Sequence, residues 1–130
     1  MSINIKRLPD AELEVMNALW GAGRPLTRAE LQQLLAAKEW ASTTLLALLS
    51  RLEEKGFVAR QKQGRGYLYT AAVSRQDYLP VESRSLLGRM FGGSAKSLVA
   101  ALVETDALSP QDIRELSDYL QQLKQQNSSD

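Results

Sequence analysis

Thr44, Ala47 and Arg51 stand three and four residues apart, the spacing that aligns side chains along one line of an α-helix, and Thr43 and Ser50 flank that line. Threonine and alanine methyls can contact thymine, threonine hydroxyls can bond base edges or phosphates, and an arginine can clamp a phosphate or a guanine. Directly downstream come Lys55, Arg60, Lys62, Arg65 and Arg75, with no acidic residue between Glu54 and Asp77. A local cation of this kind suits phosphates. The sequence has no histidine and no cysteine, so the usual general base, thiol nucleophile and soft-metal ligands are missing, and its carboxylates fall on exposed helix faces. No catalytic residue, metal site or cofactor is expected.

The line Thr44-Ala47-Arg51 needs a helix, and Leu45, Leu48, Leu49 and Leu52 supply its opposite, buried face. Ser42 is the expected N-cap, and Gly56 is suited to the left-handed conformation that closes a helix. Period two then takes over in Phe57-Val58-Ala59-Arg60-Gln61-Lys62, and Tyr67-Leu68-Tyr69-Thr70-Ala71 returns after the turn Gln63-Gly64-Arg65-Gly66. Upstream, a first helix is expected from Pro9 or Asp10 to Trp20, with Leu13, Met16, Leu19 and Trp20 inward, Glu12 and Glu14 near its positive end, and Gly21 and Gly23 as stops. After a Pro25-Leu26 link, Thr27-Arg28-Ala29-Glu30 has the capping-box pattern of a second helix that buries Leu31, Leu34 and Leu35, and a loop near Lys38 to Ala41 follows.

Three helices and a hairpin make a winged helix-turn-helix over residues 1–73, with the third helix presented to a DNA major groove. The candidate DNA-binding set is Thr27, Arg28, Thr43, Thr44, Ala47, Arg51, Lys55, Arg60, Lys62, Arg65 and Tyr67. Within it, Arg60, Lys62 and Arg65 suit backbone or minor-groove contacts. A plain solvated helix would instead pair Arg51 with Glu53 or Glu54. Tyr67 and Tyr69 are expected to pack the hairpin rather than stack on bases, and Trp20 and Trp40 to pack at the edges of the core. Gly64 and Gly66 do not form a phosphate loop, because Tyr69 stands where a third glycine is required.

Residues 74–130 read as purely helical. Ser74 or Pro80 opens a helix to about Met90, Gly92-Gly93 breaks it, Ser94 caps another, and Ser109-Pro110-Gln111-Asp112 caps a last one whose polar end, Gln125 to Asp130, should fray. Each helix is short with one apolar stripe, so the stripes need a partner. Ile113, Leu116, Leu120 and Leu123 have the spacing of paired helices, and Leu98, Val99, Leu102 and Val103 form a second stripe. An interface between two copies of the chain is the preferred reading, and packing onto the winged domain the alternative. Charge divides similarly: residues 1–76 carry 11 Lys/Arg against 7 Asp/Glu, and residues 77–130 carry 5 against 8. The fold class is therefore mainly α, a winged helix-turn-helix followed by a three-helix dimerisation domain. No apolar run reaches a membrane span and the start lacks a signal-peptide core, so a cytoplasmic protein without membrane insertion is expected.

Four segments in order, L-P-D-A-E-L-E-V-M-N-A-L-W, T-T-L-L-A-L-L-S-R-L-E-E-K-G-F-V, G-Y-L-Y and F-G-G-S-A-K-S-L-V, closely resemble the penicillinase-repressor family. That family includes regulators of beta-lactamase and methicillin resistance and copper-responsive relatives. The resemblance implies a homodimeric repressor that covers a palindromic double-stranded DNA operator, with DNA contacts from Thr43, Thr44, Ala47 and Arg51 and from the wing near Arg65 and Tyr67. The copper-responsive branch reads metal through a cysteine-rich tail, whereas this chain ends in Q-Q-N-S-S-D. The beta-lactam branch is released when a protease cuts in the helix after F-G-G. There the resemblance implies a regulatory membrane metalloprotease as partner and Ala101-Leu102 as the cleavage site, in place of that branch's asparagine-phenylalanine junction. The rival from another class is a winged-helix protein-interaction module without specific DNA binding.

Overall fold

Leucine and valine at helical spacing between glycine stops produce the helices, and the computed structural model describes residues 4–128 of the chain. Helix α1 spans Asp10–Ala22, strand β1 Leu26–Thr27, α2 Arg28–Leu34, α3 Ser42–Glu54, β2 Val58–Gln63, β3 Gly66–Ala71, α4 Arg75–Phe91, α5 Ala95–Glu104 and α6 Pro110–Ser128. The chain divides into two compact units between Ser83 and Arg84.

In the first unit α1, α2 and α3 pack around one core with a three-stranded antiparallel sheet of order β1-β3-β2. The sheet exceeds the expected hairpin by β1, which pairs Leu26 with Tyr69 and Thr27 with Leu68. Two residues carry no readable period, yet Leu26 is fully buried and fastens the start of α2 to the wing. Helix α1 runs past Trp20 through Gly21 and ends at Gly23, whose left-handed backbone (φ 65°) lets its N–H reach the Leu19 carbonyl. Its buried face is Glu12, Val15, Met16 and Leu19, so Leu13 and Trp20 lie at its margin rather than at its centre. Helix α2, by contrast, is shorter than expected. Its last residue, Leu34, is 58% exposed while Leu35 is buried, because a 3-10 turn over Ala36–Lys38 takes over there.

Helix α3 buries Leu45, Leu48, Leu49 and Leu52 as expected. Ser42 is not its cap. Ala41 holds that position with extended backbone and no side-chain bond, so Ser42 is the first helical residue. At the far end Gly56 takes φ 81°, its N–H donating to the Glu53 carbonyl (3.1 Å) and the Phe57 N–H to the Leu52 carbonyl (2.9 Å). That paired cap turns the chain straight into β2. The wing pairs Val58 with Ala71 through Gln63 with Gly66, leaving Gly64-Arg65 as a two-residue loop with Gly64 at φ 60°.

The first turns of α4 belong to this unit. Ser74 Oγ accepts from the Asp77 N–H, so Ser74, not Pro80, opens the helix, and Pro80 lies inside it. Tyr78 is buried against Trp20 and Phe57 with ring centroids 5.7 Å away in each case. Its hydroxyl accepts from the Leu8 N–H and donates to Glu82 Oε1, both at 2.8 Å. Burial raises the Tyr78 pKa above the ordinary phenol value.

In the second unit, Gly92 and Gly93 (φ 55° and 82°) break the chain after α4, and Ser94 caps α5 by accepting from the Ser97 N–H. Ser109 and Asp112 cap α6 reciprocally: the Asp112 N–H donates to Ser109 Oγ and the Ser109 N–H to Asp112 Oδ2. Those bonds hold the Asp112 carboxyl below the usual aspartate range. Helix α6 continues to Ser128, where the sequence suggested fraying from Gln125; the last two positions of that expectation lie outside the described residues. No described residue of this unit is buried. Leu98, Val99, Ala101, Leu102 and Leu116 are half-buried, whereas Val103, Ile113, Tyr119, Leu120 and Leu123 are exposed.

Candidate nucleic-acid interface

The leucines that anchor α3 in the core turn its remaining face outward. Thr43, Thr44, Ala47, Ser50 and Arg51 are all exposed there. Among the described residues Arg51 has no ion-pair partner, so the solvated-helix pairing with Glu53 or Glu54 is absent. Leu46, 43% exposed, shares this face and is not in the candidate DNA-binding set. Its spacing from Thr43 and Ser50, three and four residues, is the signal that identifies it.

Beside α3 the hairpin presents two kinds of cation. Lys62 and Arg65 are exposed and carry no protein partner among the described residues, with Arg65 at the loop tip. Arg60 is committed. Its Nε forms an ion pair with Glu53 Oε2 of α3 at 3.0 Å, and its guanidinium stacks 4.3 Å from the centre of the Tyr67 ring. Register explains the contact, since Arg60 opposes Tyr69 and Lys62 opposes Tyr67 on one face of the ribbon. A small groove lined by Leu46, Leu49, Ser50, Glu53, Arg60 and Tyr69 lies between helix and wing. Tyr69 is buried and Tyr67 borders on exposure, their rings 6.4 Å apart, as expected for hairpin packing.

Three other candidates have internal work. Thr27 caps α2: its Oγ1 accepts from the Glu30 N–H (3.1 Å), and Glu30 Oε1 accepts from the Thr27 N–H (2.9 Å). That backbone bond, with Arg24 beside it, lowers the Glu30 pKa. Arg28 Nη1 donates to Gln32 Oε1 at 3.3 Å. Lys55, the C-cap residue of α3, gives its ammonium to Glu12 of α1. Glu12 is the buried charged residue of the described core, and it sits in the stripe Glu12, Val15, Met16, Leu19 where the sequence reading placed only apolar side chains. Trp20 and Trp40 pack at the core margin, and Trp20 Nε1 donates to the Val73 carbonyl.

An outward helix face that carries Thr43, Thr44, Ala47 and Arg51, flanked by a cationic two-stranded ribbon, defines the class: a winged helix-turn-helix protein. The penicillinase repressor family model matches residues 8–122, and the chain belongs to that family. It is 35% identical over 120 residues to the penicillinase repressor of Bacillus licheniformis, covering 92% of this chain and 94% of that one. It is 30% identical over 113 residues to the methicillin resistance regulatory protein MecI of Staphylococcus aureus strain N315, covering 87% and 92%. Its fold matches the solution structure of the DNA binding domain of the repressor BlaI with a TM-score of 0.52 at 32% identity, over 60% of this chain and 95% of that one.

Proposed function

We propose that the chain is a homodimeric, sequence-specific DNA-binding repressor of transcription that acts in the cytoplasm. The observation that carries the reading is the outward face of α3, Thr43, Thr44, Ala47 and Arg51, standing beside a wing whose Lys62 and Arg65 have no protein partner among the described residues. Arg51 and the threonines read bases in the major groove, Leu46 adds an apolar contact, and Lys62 and Arg65 bind phosphates. Arg60, fixed by Glu53 and Tyr67, offers its two Nη groups to the same backbone. Thr27 and Arg28 at the start of α2 touch a phosphate through the threonine hydroxyl hydrogen and the guanidinium.

Dimerisation runs through the second unit. Support comes from the absence of any buried residue among its described positions and from the exposed leucines of α6. Leu98, Val99, Leu102, Ile113, Leu116, Leu120 and Leu123 form the seam, and two-fold symmetry in the protein implies a palindromic operator. Release follows cleavage near Ala101-Leu102 in α5 by a regulatory membrane metalloprotease, which detaches α6 and its share of the seam. The activity includes no catalytic step.

Selecting bound duplexes from a randomised pool, followed by footprinting, tests this. The expected outcome is one dimer over two inverted half-sites about one helical turn, roughly 10 bp, apart or a small multiple of it. Recovery of duplexes with no shared sequence would sink the repressor reading and favour a protein-interaction module.

A further inference from the structure

Lys55 belongs by sequence to the cationic run that faces DNA, yet its ammonium is bonded to Glu12, which is 3% exposed. We propose that Lys55 is a positioning residue rather than a phosphate contact: with Glu12 it locks the last turn of α3 to α1 and so sets the angle at which the recognition face meets DNA. This inference rests on the DNA-binding reading above.

The geometry ties the lock to the functional face. Lys55 is the C-cap of α3, and its backbone N–H donates to the carbonyls of Arg51 and Glu53. The turn fixed by the Lys55 side chain is therefore the turn that carries Arg51, which points outward. Gly56 and Phe57 follow at once and lead into β2, so the same anchor holds the junction between helix and wing. On the wing side Glu53 and Arg60 make a second bridge out of the same turn. Two ion pairs thus leave the end of α3 in different directions, one to α1 and one to β2, and the helix can neither roll nor tilt without breaking one of them.

Drawing the Lys55 ammonium off toward a phosphate would leave the Glu12 carboxylate buried beside Val15 and Met16 without a counterion. The cost of an unpaired buried charge exceeds the return from one solvent-screened phosphate contact. Lys62 and Arg65 hold no such obligation.

Three forms of the full chain decide the matter: the unaltered protein, Lys55→Met, and Glu12→Met with Lys55→Met, each measured for melting temperature and for affinity across a salt series toward a duplex the unaltered chain has selected. Lys55→Met is expected to lower the melting temperature by several degrees and to weaken binding several-fold at every salt concentration, with the slope of log affinity against log salt unchanged. Adding Glu12→Met should restore both, because it removes the buried carboxylate that Lys55→Met leaves without a counterion. A slope smaller by about 0.9 in both variants, the mark of one lost phosphate contact, with melting unmoved, would overturn the lock. So would failure of Glu12→Met to restore melting. Melting is read without DNA, so an unaltered chain with no salt-dependent affinity for any duplex overturns the DNA reading instead.

Discussion

Arg51 and Arg65 are both exposed cations near the recognition helix, but their settings assign them different work. Arg51 stands on α3 in line with Thr44 and Ala47, so Arg51→Ala should cost about 1–3 kcal/mol toward the selected duplex and relax preference at one base pair. Arg65 stands at the loop tip, and Arg65→Ala should weaken selected and random duplexes alike while reducing the salt slope by about 0.9. Binding titrations on both duplexes separate the two, and equal behaviour would remove the distinction between reader and anchor. At this scale the sequence revealed which residues are cationic but not which are spent internally. Arg60 and Lys55 look equivalent to Lys62 in a charge run; their commitments to Glu53 and Glu12 depend on partners 7 and 43 positions away. Glu12 is expected near the positive end of α1 and not in its buried stripe, although its spacing of four residues from Met16 and seven from Leu19 puts it there.

At the scale of elements, helices with long apolar periods and explicit caps were legible from sequence, as α3 with its Gly56 closure and α6 with its Ser109-Asp112 box demonstrate. Strand β1 was not, because two residues have no period and their pairing is set by β3. Nor was the switch from Leu34 to Leu35 as the buried residue, which follows from where the 3-10 turn begins. The caps make testable claims. Asp112 has a depressed pKa when folded, so its contribution to α6 is complete above the ordinary aspartate range and is lost as pH falls through that range toward the depressed value. The amide signal of Ser109 should shift with acidification over that window, and Asp112→Asn should abolish the shift; persistence in the variant would assign the titration elsewhere. Tyr78 gives a stability test. Tyr78→Phe leaves the buried Leu8 N–H without its acceptor, and chemical denaturation should show a loss of about 1–3 kcal/mol. An unchanged midpoint would mean that water replaces the hydroxyl.

At the scale of the whole molecule, the winged unit has one buried core and the C-terminal unit has no buried residue among those described, which is why the proposed dimer seam is placed in the second unit. Leu116→Asp with Leu120→Asp would place charges in the proposed seam and should give a monomer in sedimentation whose winged unit still folds, with weak operator binding because linked half-site contacts are lost. An unchanged dimer would disqualify the seam. The most direct test of the central claim is the affinity of the full chain for its selected duplex and for a random duplex of equal length, each across a salt series, alongside the Arg51→Ala, Arg65→Ala double variant. A repressor that reads DNA with α3 and the wing predicts a clear preference for the selected duplex, steep weakening with salt on both, and loss of most of that preference in the double variant. Equal affinity for the two duplexes, or an unchanged preference in the double variant, contradicts it.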